Sequence, residues 1–541
     1  MSGTHVRRTR TPDFSLSAPR WCRPLLVGAA LGLAFASVGC RITEEDVHRW
    51  GSRSQGPRKL VAVLTHAKYP TPLRVEAAMT LVRMKPRGGR PVGLQGNDEF
   101  VGLIQALAEL PADARTELLT GVVPQLEQGM LQAPAAPGGI DESIPYKDAA
   151  FALLTHDNGG LLTDPALRKR LLDALVQWSN TNFVARLDDS SQVYSMEQVL
   201  RLLKADGVRA LTAELQPNGK KIDVVARLVR DLGDEATKLD ASRRLVEVAK
   251  DVDSPEWLKR KAPAVEAANK ASKLTVTPAQ FEKQLALYQE EELLRVFSSM
   301  RSVGQKPATT YLLAYAQNPK HSEKGRMAAL AALEGNLERG NPEHAKILLD
   351  LLSDDATPDP VRDLASRRIG ELPREQVAER LYALFQHERW QVRWVAASLL
   401  LRMSAAEHLD EFMKQLGSTK DMALSEPLAY GPLLQDVQGA QPDELVARYA
   451  DRKQPAQVRL SALGYYYAHG TAADLPKVEK YARDDQRVPR CHPDAKDCDW
   501  ECAVSVGDAR ELKKVATVGD FVEYCIKPTL ATKGGGAGGK Q

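Results

Sequence analysis

The sequence predicts an all-α fold. It reads as an α-solenoid of stacked helix pairs, closed by a small C-terminal disulfide-stapled module. Three observations carry this. Apolar residues recur with a 3.6-residue period in short stretches broken by Pro, Gly, Asn and Asp, and no sustained period-2 strand pattern appears. An Arg followed three residues later by Ala returns in the second helix of successive predicted pairs. Four of the six cysteines, Cys491, Cys498, Cys502 and Cys525, cluster near the C-terminus, with none between Cys40 and Cys491.

Composition agrees with a helical globular chain. Of 541 residues, 43% are hydrophobic, 26% charged and only 6% aromatic. The formal charge is +3. Arg7, Arg8, Arg10, Arg20 and Arg23, against the single acid Asp13, give the first 39 residues a charge of +4. Removing that leader leaves about −1 (3 − 4), which gives no electrostatic basis for nucleic-acid binding.

The first forty residues read as an export signal. The basic stretch precedes an uncharged apolar run from Pro24 to Val38, shorter than the roughly 17–25 residues that span a bilayer. Ser37-Val38-Gly39-Cys40 resembles the bacterial lipobox, which ends on the cysteine that is acylated, although Ser37 stands where Leu is usual. The resemblance implies lipid attachment at Cys40 and a membrane anchor made of several acyl chains. Arg41 follows, where an Asp would signal inner-membrane retention, so the reading leans to the outer membrane of a bacterial envelope. Ala34-Phe35-Ala36 offers an ordinary signal-peptidase site instead, and an uncleaved anchor is a third alternative.

The first helix pair spans Lys59 to His66 and Arg74 to Met84, with the turn at Tyr69-Pro70-Thr71-Pro72. The same grammar returns as Tyr311–Ala316 with Gly325–Leu333, then as Ala345–Leu352 with Val361–Ile369. Val377–Gln386 with Val392–Met403, and Leu445–Tyr449 with Val458–Tyr467, follow. The marker pairs are Arg74/Ala77, Arg326/Ala329, Arg362/Ala365, Arg393/Ala396 and Arg459/Ala462. The last four arginines are 36, 31 and 66 residues apart, and a degenerate pair at Phe412–Leu416 and Leu424–Leu434 fills the double gap. A helix pair cannot bury its apolar face alone, so units of this period stack into one core. The Ala permits close approach. The Arg stem is expected to lie over the adjoining repeat with its guanidinium free.

These units resemble HEAT repeats, in which a Pro-containing turn precedes a Val-Arg-x-x-Ala second helix. Val361-Arg362, Val392-Arg393 and Val458-Arg459 match most closely, and Asp359 sits where the family pairs the Arg with a turn Asp. The marker covers about 57–86 and 305–470, under half the chain.

The expected organisation is a lipoprotein signal peptide over 1–39, N-terminal HEAT-like repeats over 40–132 and a Pro/Gly linker over 133–140. An irregular helical region over 141–304, HEAT-like repeats over 305–485, a cysteine-rich module over 486–530 and a flexible Gly-rich tail over 531–541 complete it. In the irregular region, Asp164 before Pro165 caps a helix to Trp178, and Thr277-Pro278 caps another from Ala279 to about Met300.

In an oxidising compartment the four clustered cysteines form two disulfides, of three connectivities that the sequence does not separate. The stretch from Arg490 to Val504 has too little apolar content to fold without staples, and Cys525 ties the last helix to it. A metal-binding module at 491–525, with His492, is the alternative; the Cys-x6-Cys-x3-Cys spacing lacks the usual zinc knuckles.

No catalytic motif appears: no G-x-S-x-G, H-E-x-x-H, P-loop or strand-borne G-x-G-x-x-G. The sequence thus predicts a non-enzyme without a cofactor. An enzyme with its site in the irregular middle is the other alternative; it requires a deep pocket with convergent titratable groups between about 140 and 300. The binding candidates are Trp390, Arg393 and Trp394 on one second helix and Tyr466 two repeats on, since second helices line the concave face of solenoids and Trp, Tyr and Arg are favoured at hot spots. The expected function is a membrane-tethered scaffold that binds an envelope protein or peptide segment.

Overall fold

About 70% of the chain is helical in the computed structural model. The structure describes residues 42–86, 90–132, 140–437, 439, 441–491, 500–506 and 509–534. Cys40, Cys498, His492, the 133–139 part of the expected linker and residues 535–541 of the expected tail lie outside the described residues.

The helix pairs begin where the Pro-marked turns place them. Gly56–Thr65 packs on Thr71–Val82, Lys306–Gln317 on Glu323–Ala332 and Pro342–Ser353 on Asp359–Ile369. Arg374–Ala383 packs on Trp390–Arg402, and Pro442–Tyr449 on Ala456–His469. Pro occupies the first turn of Thr71–Val82, Lys306–Gln317, Pro342–Ser353, Asp359–Ile369 and Pro442–Tyr449. Its missing N–H is lost at no cost there, because the first-turn donors have no intrahelical acceptor. The degenerate pair is Leu409–Gly417 and Ser425–Leu433. Each second helix from 323 onward also packs on the second helix of the next pair, so the apolar faces merge into one continuous core.

The five marker alanines, Ala77, Ala329, Ala365, Ala396 and Ala462, are fully buried at these contacts. One close crossing uses glycines. Gly431 and Gly464 face each other where Ser425–Leu433 meets Ala456–His469, and a Cβ on Gly464 would lie 2.0 Å from the Pro427 carbonyl oxygen. Only backbone fits between these helices. Gly464→Ala is therefore expected to destabilise the protein by about 1–3 kcal/mol in urea unfolding, through overpacking rather than propensity.

The middle region holds long helices. Asp164 accepts the N–H groups of Ala166 and Leu167 at the start of Pro165–Asn180, and Thr277 forms a capping box with Gln280 at the start of Pro278–Val303.

The strands among the described residues form two antiparallel ribbons, Gly96–Asn97 with Phe100–Val101 and Glu501–Val506 with Ala509–Lys514. The second lies in the cysteine-rich segment, where no strand is expected from the sequence. Its Cys502 is bonded to Cys525, with Cα atoms 5.4 Å apart. Cys491 is disulfide-bonded as well. Val518, Phe521, Ile526 and Leu530 are completely buried beneath the ribbon and the last helix pair. The terminal helix Lys527–Gly534 runs into the segment expected as a Gly-rich tail; Lys533 Nζ donates to the Tyr467 and Ala468 carbonyls at 2.9 and 2.6 Å.

Candidate functional site

The marker arginines were expected to hold their guanidinium groups free. The structure corrects this: Arg74, Arg326, Arg362, Arg393 and Arg459 are all at least 95% buried. Four of them donate Nε–H backwards, to a carbonyl near the C-terminus of the first helix of their own pair. Arg74 reaches Leu64 at 2.9 Å, Arg326 reaches Ala316 at 2.8 Å, Arg362 reaches Leu352 at 3.1 Å and Arg459 reaches Ala450 at 3.0 Å. The last carbonyls of a helix lack intrahelical partners and carry its negative dipole end. A cation from the next helix satisfies them and locks the turn between the two.

The remaining donors link neighbouring parts of the chain. Arg362 pairs with Asp359, the position expected from the HEAT resemblance, and Arg389 reaches the same carboxylate at 3.3 Å from the next turn. Arg459 pairs with Asp484 at 2.5 Å; that guanidinium holds the Asp484 carboxyl below the usual carboxylate range.

Arg393 differs. The 3-10 turn Leu384–Gln386 follows the first helix of its pair, and its Nη1 takes the carbonyls of His387 and Glu388 at 2.7 and 3.3 Å instead. Nε and Nη2 grip Glu426, on the next second helix, at 2.8 and 2.7 Å. Tyr430 Oη–H and the Ala423 N–H also donate to Glu426, at 2.9 and 2.7 Å. Burial works against the Arg393 charge, yet the bidentate carboxylate outweighs it and raises the pKa. Burial pushes the Tyr430 phenol far above its ordinary value.

Of the four binding candidates, the structure leaves one on an open surface. Arg393 is consumed by Glu426. Tyr466 is 4% exposed, and its hydroxyl donates to Asp443 at 3.2 Å, so it is a core residue. Trp390 is half-buried at the start of its helix. Trp394 is 38% exposed and lines a cleft of about 600 Å³ between Asp359–Ile369 and Trp390–Arg402. Val395, Leu399 and Met403 form its apolar wall beside Trp394, Asp363 and Arg367 face them as an ion pair of 2.7 Å, and the exposed Arg402 closes one side. Ser398 also lines the cleft and is 8% exposed, but its hydroxyl oxygen is buried and has no hydrogen-bond partner within the protein. An apolar wall with flanking charges suits a peptide side chain with a polar backbone beside it.

The middle region contains a polar cluster that pattern reading missed. Arg186, which lacks the Ala three residues on, caps the helix before it through the Trp178 and Thr181 carbonyls, at 2.5 and 3.0 Å, and pairs with Asp141 at 2.7 Å. Beside it Lys147 pairs with Asp148 at 2.6 Å, and Asp148 accepts the N–H groups of Val193 and Tyr194. Trp178 lies between the two cations and donates to Ser143 Oγ at 2.7 Å. Burial lowers the Lys147 pKa. Titratable groups thus converge as an enzyme in this region requires, but Lys147 has no exposed surface and Arg186 is 98% buried, so solvent and substrate do not reach them. The cluster joins Ile144–Thr155 to Pro165–Asn180 and the segment before Met196–Leu203.

Asp354 accepts the Ala356 N–H at 3.0 Å in the turn between Pro342–Ser353 and Asp359–Ile369. His66 is exposed, while His156 and His408 are half-buried. Among the described residues no three His, Cys, Asp or Glu side chains converge as a metal site, and no helix is long and apolar enough to cross a membrane. A comparison with protein-family models and with curated proteins finds no match to the chain.

Proposed function

We propose that the protein is a non-enzymatic scaffold, an α-solenoid of HEAT-like helix pairs tethered by lipid at Cys40 to a bacterial envelope membrane, with the outer membrane favoured. The observation that carries the binding role is the cleft at Trp394. It lies between two adjacent second helices, the face on which solenoids hold their partners, and combines an exposed tryptophan with an apolar wall and flanking charges. The capping arginines support the repeat assignment, because four separate pairs share one bond from second-helix Arg to first-helix carbonyl. The leader and Cys40 support the address, and the Cys502–Cys525 bond suits an oxidising compartment. The C-terminal module closes the last pair, as terminal repeats require. The partner is an envelope protein or peptide segment that inserts an apolar side chain beside Trp394.

A photo-crosslinking amino acid at position 394, in cells, is expected to give a discrete adduct with one envelope protein. Trp394→Ala is expected to weaken binding to that protein by roughly tenfold or more, as for a hot-spot tryptophan. Adducts at 394 no more specific than those at an exposed first-helix position such as Glu375 would contradict the groove assignment.

A further inference from the structure

The helices Pro255–Ala271 and Pro278–Val303 form an arm whose end leaves the body of the protein. In Pro278–Val303 the buried residues concentrate at Leu293, Val296, Phe297, Met300 and Val303, while the first half buries only Leu285. Ten consecutive residues, 271–280, are exposed. The end is nevertheless built to hold one shape. Asn269 and Gln284 exchange side-chain hydrogen bonds of 2.9 and 3.2 Å between the helices, with Asn269 94% buried. The first helix stops in a Schellman motif: the Leu274 N–H donates to the Asn269 carbonyl at 2.9 Å and the Lys273 N–H to the Lys270 carbonyl at 3.1 Å. The second starts with the Thr277–Gln280 capping box.

Within this rigid turn two features run against a purely structural role. The Schellman motif usually packs its last residue back on the helix, yet here Leu274 is 59% exposed, with Val276 at 36% beside it. The left-handed position, φ +55° at Lys273, is one that Gly or Asn fills most easily, and the chain places a lysine there. Lys270 and Lys273 precede the apolar pair, and no acid occurs between Glu266 and Glu282.

We propose that the 270–277 tip docks on an anionic phospholipid surface. Leu274 and Val276 enter the headgroup–acyl boundary, and Lys270 and Lys273 face lipid phosphates. The charge is complementary to anionic headgroups, and the shape decides against a folded protein partner. A specific protein interface covers about 800 Å² per side with a matching concavity, whereas a narrow convex tip with two apolar side chains fits a fluid interface that needs no pocket. Such a contact is weak and reversible by itself. It is separate from the proposed anchor at Cys40, and together the two would fix how the scaffold sits on its membrane.

Hydrogen exchange reads the tip directly. The full-length protein is measured with vesicles of phosphatidylethanolamine and phosphatidylglycerol, and with vesicles of phosphatidylcholine alone. Exchange over 271–280 is expected to slow by roughly tenfold on the anionic vesicles only. The protection is expected to vanish in Leu274→Asp/Val276→Asp and in Lys270→Glu/Lys273→Glu. All four side chains are exposed, so circular dichroism should match the parent. An unchanged tip on a vesicle-bound protein would overturn the proposal while leaving the anchor standing. Equal protection on phosphatidylcholine, or protection by envelope proteins but not by lipid, would overturn it as well.

Discussion

Replacing Arg393 with alanine is expected to destabilise the protein by about 3–5 kcal/mol, the range for removing one partner of a buried ion pair. Arg393 and Glu426 are each about 3% exposed at the side chain. Truncation strips Glu426 of two charge-assisted bonds and leaves a carboxylate with only the Tyr430 hydroxyl and the Ala423 N–H. It also orphans the His387 carbonyl. Urea unfolding measures the loss. The paired replacement Arg393→Met/Glu426→Leu is expected to recover part of it, since no uncompensated charge is then buried, although the Tyr430 hydroxyl and the Ala423 N–H lose their acceptor. The penalty thus belongs to the stranded carboxylate more than to the intact pair. A single-variant loss below about 1 kcal/mol would mean that Glu426 finds water or a proton, and that the link between these second helices is not structural.

The second large effect is expected at the C-terminal staple. Replacing Cys502 and Cys525 together with alanine should destabilise the protein by about 3 kcal/mol, the entropy released by opening a loop of sequence separation 23. The loss has a location. Among its described residues the ribbon 501–514 buries only Cys502, and the staple to Cys525 ties it to the helical segment 518–526. Proteolytic cleavage is expected to appear first between Trp500 and Lys514, before the 306–469 helices open. Cleavage appearing first among those helices would place the weak point elsewhere.

The helix pairs were legible because two local signals agree: Pro marks the turn, and Arg-x-x-Ala marks the helix after it. Spacing of this kind fixes which face of a helix points inward, and the five buried alanines show that it did. It does not fix depth. Arg74 and Arg326 sit on the same face as their alanines, and whether such an arginine lies along the surface or turns in depends on a carbonyl ten residues earlier that needs a donor. The helix-end rule that the last carbonyls seek partners held the missing information. Arg186 escaped notice for a related reason: it does the same work without the Ala that made the others visible.

Two of the binding candidates, Arg393 and Tyr466, are buried because residue type does not fix exposure. Arg393 and Tyr466 belong to hot-spot types, but each meets a buried carboxylate on another helix, Glu426 or Asp443, a contact that local spacing does not reveal. Trp394 lies one residue beyond Arg393 and so points away from that pair, into the cleft. The ribbon at 501–514 did carry a signal. Cys502, Val504 and Val506 alternate before Gly507-Asp508, a pair suited to a two-residue hairpin turn, but the run is too short to stand out beside the cysteines. The Gly431–Gly464 contact carried none, because two glycines 33 residues apart become a crossing only once the helices are placed.

The anchored-scaffold account is tested most directly by the intact mass of the mature protein purified from membranes, with and without reduction before alkylation. The account predicts a chain that begins at Cys40, carries lipid, and gains four alkyl groups only after reduction, on Cys491, Cys498, Cys502 and Cys525. A chain that begins at Ser37 without lipid, or thiols that alkylate without reductant, would contradict it.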